Sequence, residues 1–244
     1  FVPDYAWHNL EHYFDGRGRA EDNAVFFEPR RQQMTFTHLS ESEAELWQGD
    51  TPVYGVESRT TFRVRAPYYV DVRFECTPHK SDLAGDFLGV FWASYINAPL
   101  DKSMYFLEEG VWRQYCTQAH NRDSTVPQAD DTFRPEIENA EDALFGSVSP
   151  LRHSNYFFYG RFRDMVLIYC FRTDELLRFS HSPSGGGRAP GGDDTNPAWD
   201  FQLIVPEYIT GWSYTLESRV IFKPWRGRAD VVAEADGFFG EETR

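Results

Sequence analysis

From Val70 to Cys76 the chain alternates without a break: Val70, Val72, Phe74 and Cys76 are apolar, and Asp71, Arg73 and Glu75 between them are ionised. Successive side chains leave an extended backbone on opposite sides, so this period of two marks a strand with one buried and one wet face. Phe62-Arg63-Val64-Arg65-Ala66 repeats the pattern just upstream. Neither segment suits a helix, whose 3.6-residue period would scatter the charges around the cylinder.

The same reading along the chain predicts strands near 59–66, 68–77, 86–96, 103–107, 111–117, 156–162, 164–172, 175–182, 199–205 and 212–223. The expected fold is all-β: a two-sheet antiparallel β-sandwich, formed as one domain over 1–244. Residues 87–96 and 165–171 are apolar on both faces, as central strands covered on both sides tend to be. Thr173-Asp174 and Thr210-Gly211 separate consecutive strands and are expected to close hairpins. Residues 1–50 read as an irregular arm packed on the domain, with a short strand at 24–28 and either a helical turn or a short strand at 40–47. Residues 121–148 read as a long loop with a helical turn near 138–145. The Ser-, Gly- and Pro-rich stretch 182–197 reads as a disordered loop or a functional lid.

Thirty-eight acidic side chains against 24 basic ones give a net charge of −14. Such a field repels phosphate backbones, which argues against a nucleic-acid partner. No stretch approaches the roughly 20 apolar residues of a membrane-spanning helix. The start lacks the basic-then-apolar pattern of a signal peptide, but its first residue is Phe; if it has been processed, a secreted or periplasmic address is favoured. Cys76, Cys116 and Cys170 lie far apart in apolar contexts, which suits buried free thiols or one disulfide with a thiol left over. No zinc spacing is present, and no cofactor is expected.

The strand sequences carry a resemblance. Thr61-Phe62-Arg63-Val64, Tyr69-Val70-Asp71-Val72-Arg73-Phe74, Phe91-Trp92-Ala93-Ser94-Tyr95 and Tyr214-Thr215-Leu216-Glu217-Ser218-Arg219 resemble the framework of the concanavalin A-like lectin/glucanase superfamily, over about two thirds of the chain. Residues 150–160 and 196–201 are distinctive within that likeness and point to a separate bacterial subfamily. The resemblance implies a jelly roll that binds or cleaves glycans on a concave face, and a structural calcium at loop carboxylates such as Asp193-Asp194, though without EF-hand spacing. Laminarinase-like members carry Glu-x-Asp-x-x-Glu on a strand. The nearest match here, Glu136-Ile137-Glu138-Asn139-Ala140-Glu141, lacks the central Asp and follows Pro135 in a polar loop, so it reads as a solvated acidic segment.

Two chemistries then compete. Retaining glycosidases need carboxyl groups about 5–5.5 Å apart. Asp71 and Glu75 share a strand face at about 13 Å, which suits an ion-pair ladder through Arg73 or a substrate-binding row, and Asp200 would have to complete a pair with Glu75 across the sheets. Jelly-roll lyases instead use a Tyr or His base beside groups that neutralise a uronate. The candidate catalytic residues are His120, Tyr159, His181 and Glu75. The candidate substrate-binding residues are Arg73, Trp92, Gln114, Arg161, Trp199 and Asp200. Gly160, inside a strand, marks a bulge or a close backbone approach. The expected function is that of a carbohydrate-active protein taking an oligo- or polysaccharide, as a polysaccharide lyase or glycoside hydrolase, with a non-catalytic lectin-like module as the alternative.

Overall fold

In the computed structural model, which describes residues 8–119, 121–183 and 196–241, the chain forms two antiparallel sheets packed face to face. The strands are β1 (Asn9–Phe14), β2 (Thr35–Ser40), β3 (Glu43–Gln48), β4 (Val56–Arg65), β5 (Tyr69–Pro78), β6 (Phe87–Ala93), β7 (Met104–Glu108), β8 (Val111–Tyr115), β9 (Thr125–Pro127), β10 (Phe157–Phe162), β11 (Met165–Arg172), β12 (Leu176–Ser182), β13 (Ala198–Pro206) and β14 (Tyr214–Pro224). Short helices α1 (Asn23–Phe26) and α2 (Glu28–Arg31) follow β1, and α3 (Arg228–Gly240) follows β14. The smaller sheet has the order β1-β6-β13-β12-β9, and the larger β2-β3-β4-β5-β14-β11-β10-β7-β8. Among the described residues no helix is long and apolar enough to cross a membrane.

Alternation builds three apolar layers. Phe74 and Cys76 of β5, Trp92 of β6 and Trp199, Phe201 and Leu203 of β13 meet between the sheets. Beyond the nine-stranded sheet, Phe157, Tyr159, Ile168 and Ile221 pack under Val231, Ala235 and Phe238 of α3. Beyond the five-stranded sheet, Phe14, Phe87 and Phe91 pack under Ala143 and Phe145 of the 128–156 connection. These two covers explain why β6 and β11 are apolar on both faces. A Cβ at Gly160 would lie 2.2 Å from the Trp199 ring, so this glycine serves close packing of the two sheets.

The structure corrects the reading of the first 50 residues. They are not an irregular arm: β1 is an edge strand of the smaller sheet and the β2–β3 hairpin extends the larger one, while 24–28 falls in short helices rather than a strand. Thr173-Asp174 and Thr210-Gly211 do not close hairpins either. β11 pairs with β10 and β14 but β12 with β13 and β9, so each of these turns carries the chain from one sheet to the other. A turn signal is the same whether the chain doubles back within a sheet or crosses to the facing one. The predicted turn within 138–145 is present as two 3₁₀ turns, Ala140–Asp142 and Leu144–Gly146. Among the thiols, Cys76 and Cys170 are buried and free and Cys116 is half-buried and free.

Candidate active site

On the outer face of the five-stranded sheet a cleft of about 380 Å³ opens between β1, β6 and β13 on one side and α1–α2 and the 3₁₀ turns on the other. Its floor is polar because of one irregularity. Leu10 pairs with Trp92 and His12 with Phe91, which leaves Glu11 as an extra residue in β1. Such a bulge bends the strand and re-aims a side chain. Here it places Glu11 on the cleft side beside His12, with both residues more than nine-tenths buried.

Glu11 is held on several sides. The Tyr95 hydroxyl donates to it at 3.0 and 3.1 Å, Asn9 Nδ2 donates at 3.2 Å, and Arg30 Nη1 lies 3.4 Å away. Burial nevertheless pushes its carboxyl above the ordinary range, outweighing Arg30, Tyr95 and Asn9. Asp200, on β13, is 1% exposed and accepts a bond from the Ser94 backbone N–H at 2.8 Å. Burial raises it well above the usual carboxylate value; the Ser94 amide opposes this and the Glu11 charge adds to it. His12 Nδ1 lies 2.6 Å from the Phe26 carbonyl, which can only accept, so the neutral ring carries its proton there and leaves Nε2 as a lone pair. That nitrogen is 3.7 Å from Glu11 Oε1, and burial lowers the ring to about 3.

The walls are aromatic and their position is fixed from behind. Phe26, Phe27, Phe91 and Phe145 line the cleft, with Arg19 and Arg30 at its rim. The buried Glu28 carboxylate accepts the backbone N–H groups of Val53 (2.5 Å) and Tyr54 (2.9 Å), and Gln48 Nε2 donates to the Pro29 carbonyl at 2.8 Å. These bonds tie α2, and with it Phe27 and Arg30, to the body of the larger sheet. Further along the same face, Arg178 forms a buried ion pair with Asp131 (2.7 and 3.2 Å), and Gln202 donates to Thr125 and Ser180.

Of the predicted residues that are described, Asp200 alone lines this cleft, and its proposed pairing with Glu75 fails. Glu75 and Arg73 project from β5 on the far side of the molecule, where they contact each other. There Arg73 borders a groove of about 820 Å³ beside the end of α3, with Asp71, Arg219, Glu217 and Glu241. Arg219 pairs with Asp71 at 2.5 Å and with Glu241 at 2.7 Å, so this row is a compensated ion-pair ladder. Tyr159 is buried beneath α3, its hydroxyl accepting from Arg228 Nε at 3.0 Å, and burial raises its pKa instead of lowering it. His181 is buried too, bonded to Thr117 and to the Lys102 carbonyl, and burial lowers it to about 4. Trp92 and Trp199 are 2% and 0% exposed and have no face open to a ligand. Gln114 bonds to Ser103 from the edge strand β8. Arg161 stacks over Trp225 at 4.3 Å. His120 and the Asp193-Asp194 pair lie outside the described residues.

Sequence reasoning did not single out Glu11, His12, Arg30 or Tyr95 as site residues. The available signal was Leu10-Glu11-His12-Tyr13-Phe14, where two ionisable residues interrupt an apolar run. The bulge that turns them to one side depends on pairing with β6.

No protein-family model matches the chain, and no curated protein matches it. Among solved structures, it is similar to a putative aldose 1-epimerase from Escherichia coli K12, at 12% identity and a TM-score of 0.43, covering 88% of this chain and 82% of that one. An aldose epimerase homologue from C. elegans matches at 10% identity and 0.44, over 89% and 81%. A heparan sulfate lyase from Pedobacter heparinus matches at 11% and 0.43, over 89% of this chain and 24% of that one. At this level the likeness is one of sandwich shape, and the activities named belong to those proteins. The concanavalin A-like superfamily is not shown for this chain; what stands of that resemblance is the two-sheet antiparallel fold.

Proposed function

We propose that the chain is a carbohydrate-active enzyme that takes a small saccharide into the Glu11–Asp200 cleft and performs general acid–base chemistry on it. The observation that carries this reading is the convergence of two buried carboxyl groups, both raised by desolvation, in a cleft with aromatic walls. Perturbed titratable groups in a pocket are the usual mark of proton-transfer machinery. A sugar ring matches such a lining, since its C–H face packs on phenyl rings while its hydroxyl edge meets carboxylates and guanidinium groups.

The two carboxyl groups differ in a way that divides the work. Asp200 is deeply buried and, among the described residues, has only the Ser94 amide as a donor, which favours its protonated form and suits it to give a proton to a glycosidic or ring oxygen. Glu11 has Tyr95, Asn9 and Arg30 to hold its charge, which suits it to take one. Groups whose surroundings push their affinities apart serve as the acid and base of one step. The inventory for elimination by Tyr159 and His181 does not meet in one place, so acid–base work on a hydroxyl or glycosidic oxygen is favoured over lyase chemistry.

The test is a panel of mono- and disaccharides followed by NMR for anomer exchange, bond cleavage or unsaturation. Turnover of one sugar class is expected to fall at least about 100-fold in Asp200→Asn and in Glu11→Gln, the scale of losing a general acid or base, while sugar binding persists. Turnover unchanged in both variants would overturn the assignment. The second reading, a lectin-like binding module, draws on the fact that Glu11 is already fully engaged by neighbours; saturable binding without turnover of any sugar selects it.

A further inference from the structure

Away from the cleft, three potential ligands converge from three separate elements. Asp50 follows β3, Glu57 lies near the start of β4 and His79 follows β5. One ligand atom from each lies within 4.8 Å of the others. His79 Nε2 is 3.6 Å from Asp50 Oδ1 and 3.5 Å from Glu57 Oε2. In a tetrahedral zinc site with bonds of about 2.0–2.1 Å, neighbouring ligand atoms stand about 3.3 Å apart. Two of the separations are already close to that value.

Two further observations distinguish the group from an ordinary acidic surface. First, Glu57 is oriented: Trp47 Nε1–H donates to its Oε1 at 3.0 Å, which leaves Oε2 facing the imidazole. Outer partners of this kind fix the direction of a metal ligand. Second, among the described residues neither Asp50 nor Glu57 forms an ion pair with a Lys or Arg. The nearby cations are turned elsewhere, Arg59 to Glu45 at 2.5 Å and Lys80 to the Pro52 and Val53 carbonyls at 2.6 and 2.8 Å. The frame is built as well. The His79 N–H donates to the Gly55 carbonyl at 2.8 Å, and Gly55 holds a positive φ of 60°, where a side chain would strike Lys80.

We propose that Asp50, Glu57 and His79 form a binding site for a divalent transition-metal ion of the zinc type, with water at the remaining position. Ligation would join the ends of three strands around the turn 51–55, whose neighbouring amides hold Glu28 and so steady α2.

The experiment is a titration of chelator-treated protein with Zn²⁺ by calorimetry and with Co²⁺ by visible absorption. One ion per chain is expected, with micromolar affinity and competition between the two metals. His79→Ala and Glu57→Gln should each weaken binding at least about tenfold, and Trp47→Phe, removing the orienting indole, by about tenfold. All these side chains are exposed or half-buried at the surface, and circular dichroism checks that each variant is folded. Absence of saturable binding overturns the proposal. So does one-site binding that survives both His79→Ala and Glu57→Gln, which would place the ion elsewhere; loss of that binding in Cys116→Ser would then assign it to the thiol.

Discussion

The outer faces of the two sheets both carry ionised side chains, yet they solve the problem of charge in opposite ways. On the nine-stranded sheet, Arg65, Asp71 and Glu241 stand partly in water and pair with one another or with the buried Arg219, so that every charge is answered by its opposite. The five-stranded sheet lies under a cover, and there Glu11 and Asp200 keep carboxyl groups that burial disfavours as anions. Exposed ion pairs cost little to make and contribute little. Buried, raised carboxyl groups weaken the fold and persist where they have work to do. The contrast is why the chemistry is proposed for the cleft and not for the more conspicuous charged groove.

The comparison breaks most readily at its ion pairs. Removing one partner of the buried Arg178–Asp131 pair, as in Asp131→Ala, is expected to cost about 3–5 kcal/mol, because the guanidinium is left buried and unpaired. Arg73→Ala on the exposed ladder should cost no more than about 1 kcal/mol. Urea denaturation of both variants measures the ratio, and equal costs would erase the distinction between the faces.

Packing sharpens the contrast next. A Cβ on Gly89 would lie 2.3 Å from the Phe14 ring beneath the covered face. Gly89→Ala should therefore destabilise by about 1–3 kcal/mol through overpacking, seen as a lower urea midpoint with an unchanged slope.

The pH dependence should have opposite signs on the two faces. Asp200 is raised in the folded state, so folding takes up a proton: its contribution improves as pH falls and is a penalty above its folded value. Asp200→Asn should then be more stable than the natural chain at pH 8, and should lose that advantage in acid. Glu241 is lowered to about 2, chiefly by its bonds to Arg219. Its contribution is present above the ordinary carboxylate value and is lost as pH falls toward 2. Glu241→Gln should therefore be slightly less stable at pH 7 and no different near pH 2. Thermal melts across pH 2–8 read both signs, and a common sign would refute the assignment of one face or the other.

Much of the framework was legible in the residues. The strands predicted between 59 and 223 lie within a few residues of β4 to β8 and β10 to β14, because half-buried strands write their faces as alternation. The shared face of Asp71, Arg73 and Glu75 was legible for the same reason, but its pairing was not: Arg73 contacts Glu75 and Glu217, while Asp71 pairs with Arg65 and Arg219. β1, β2, β9 and α3 were missed, and β3 matches one of the two readings left open at 40–47. Asn9–Phe14 mixes polar residues into an apolar run around a bulge, β2 is exposed along its whole length, and α3 buries only Val231, Ala235 and Phe238.

By itself, then, the sequence determined that the protein is an antiparallel sandwich with an acidic surface and a charged outer row, because side-chain period and net charge are local properties of the chain. Tertiary structure decided which sheet each strand joined, that the turns at Thr173 and Thr210 cross between sheets, and that Glu11 and Asp200 meet. Those outcomes depend on a one-residue bulge in β1 and on pairing between segments from opposite ends of the chain. Long-range closure of this kind leaves no periodic mark on the residues it brings together.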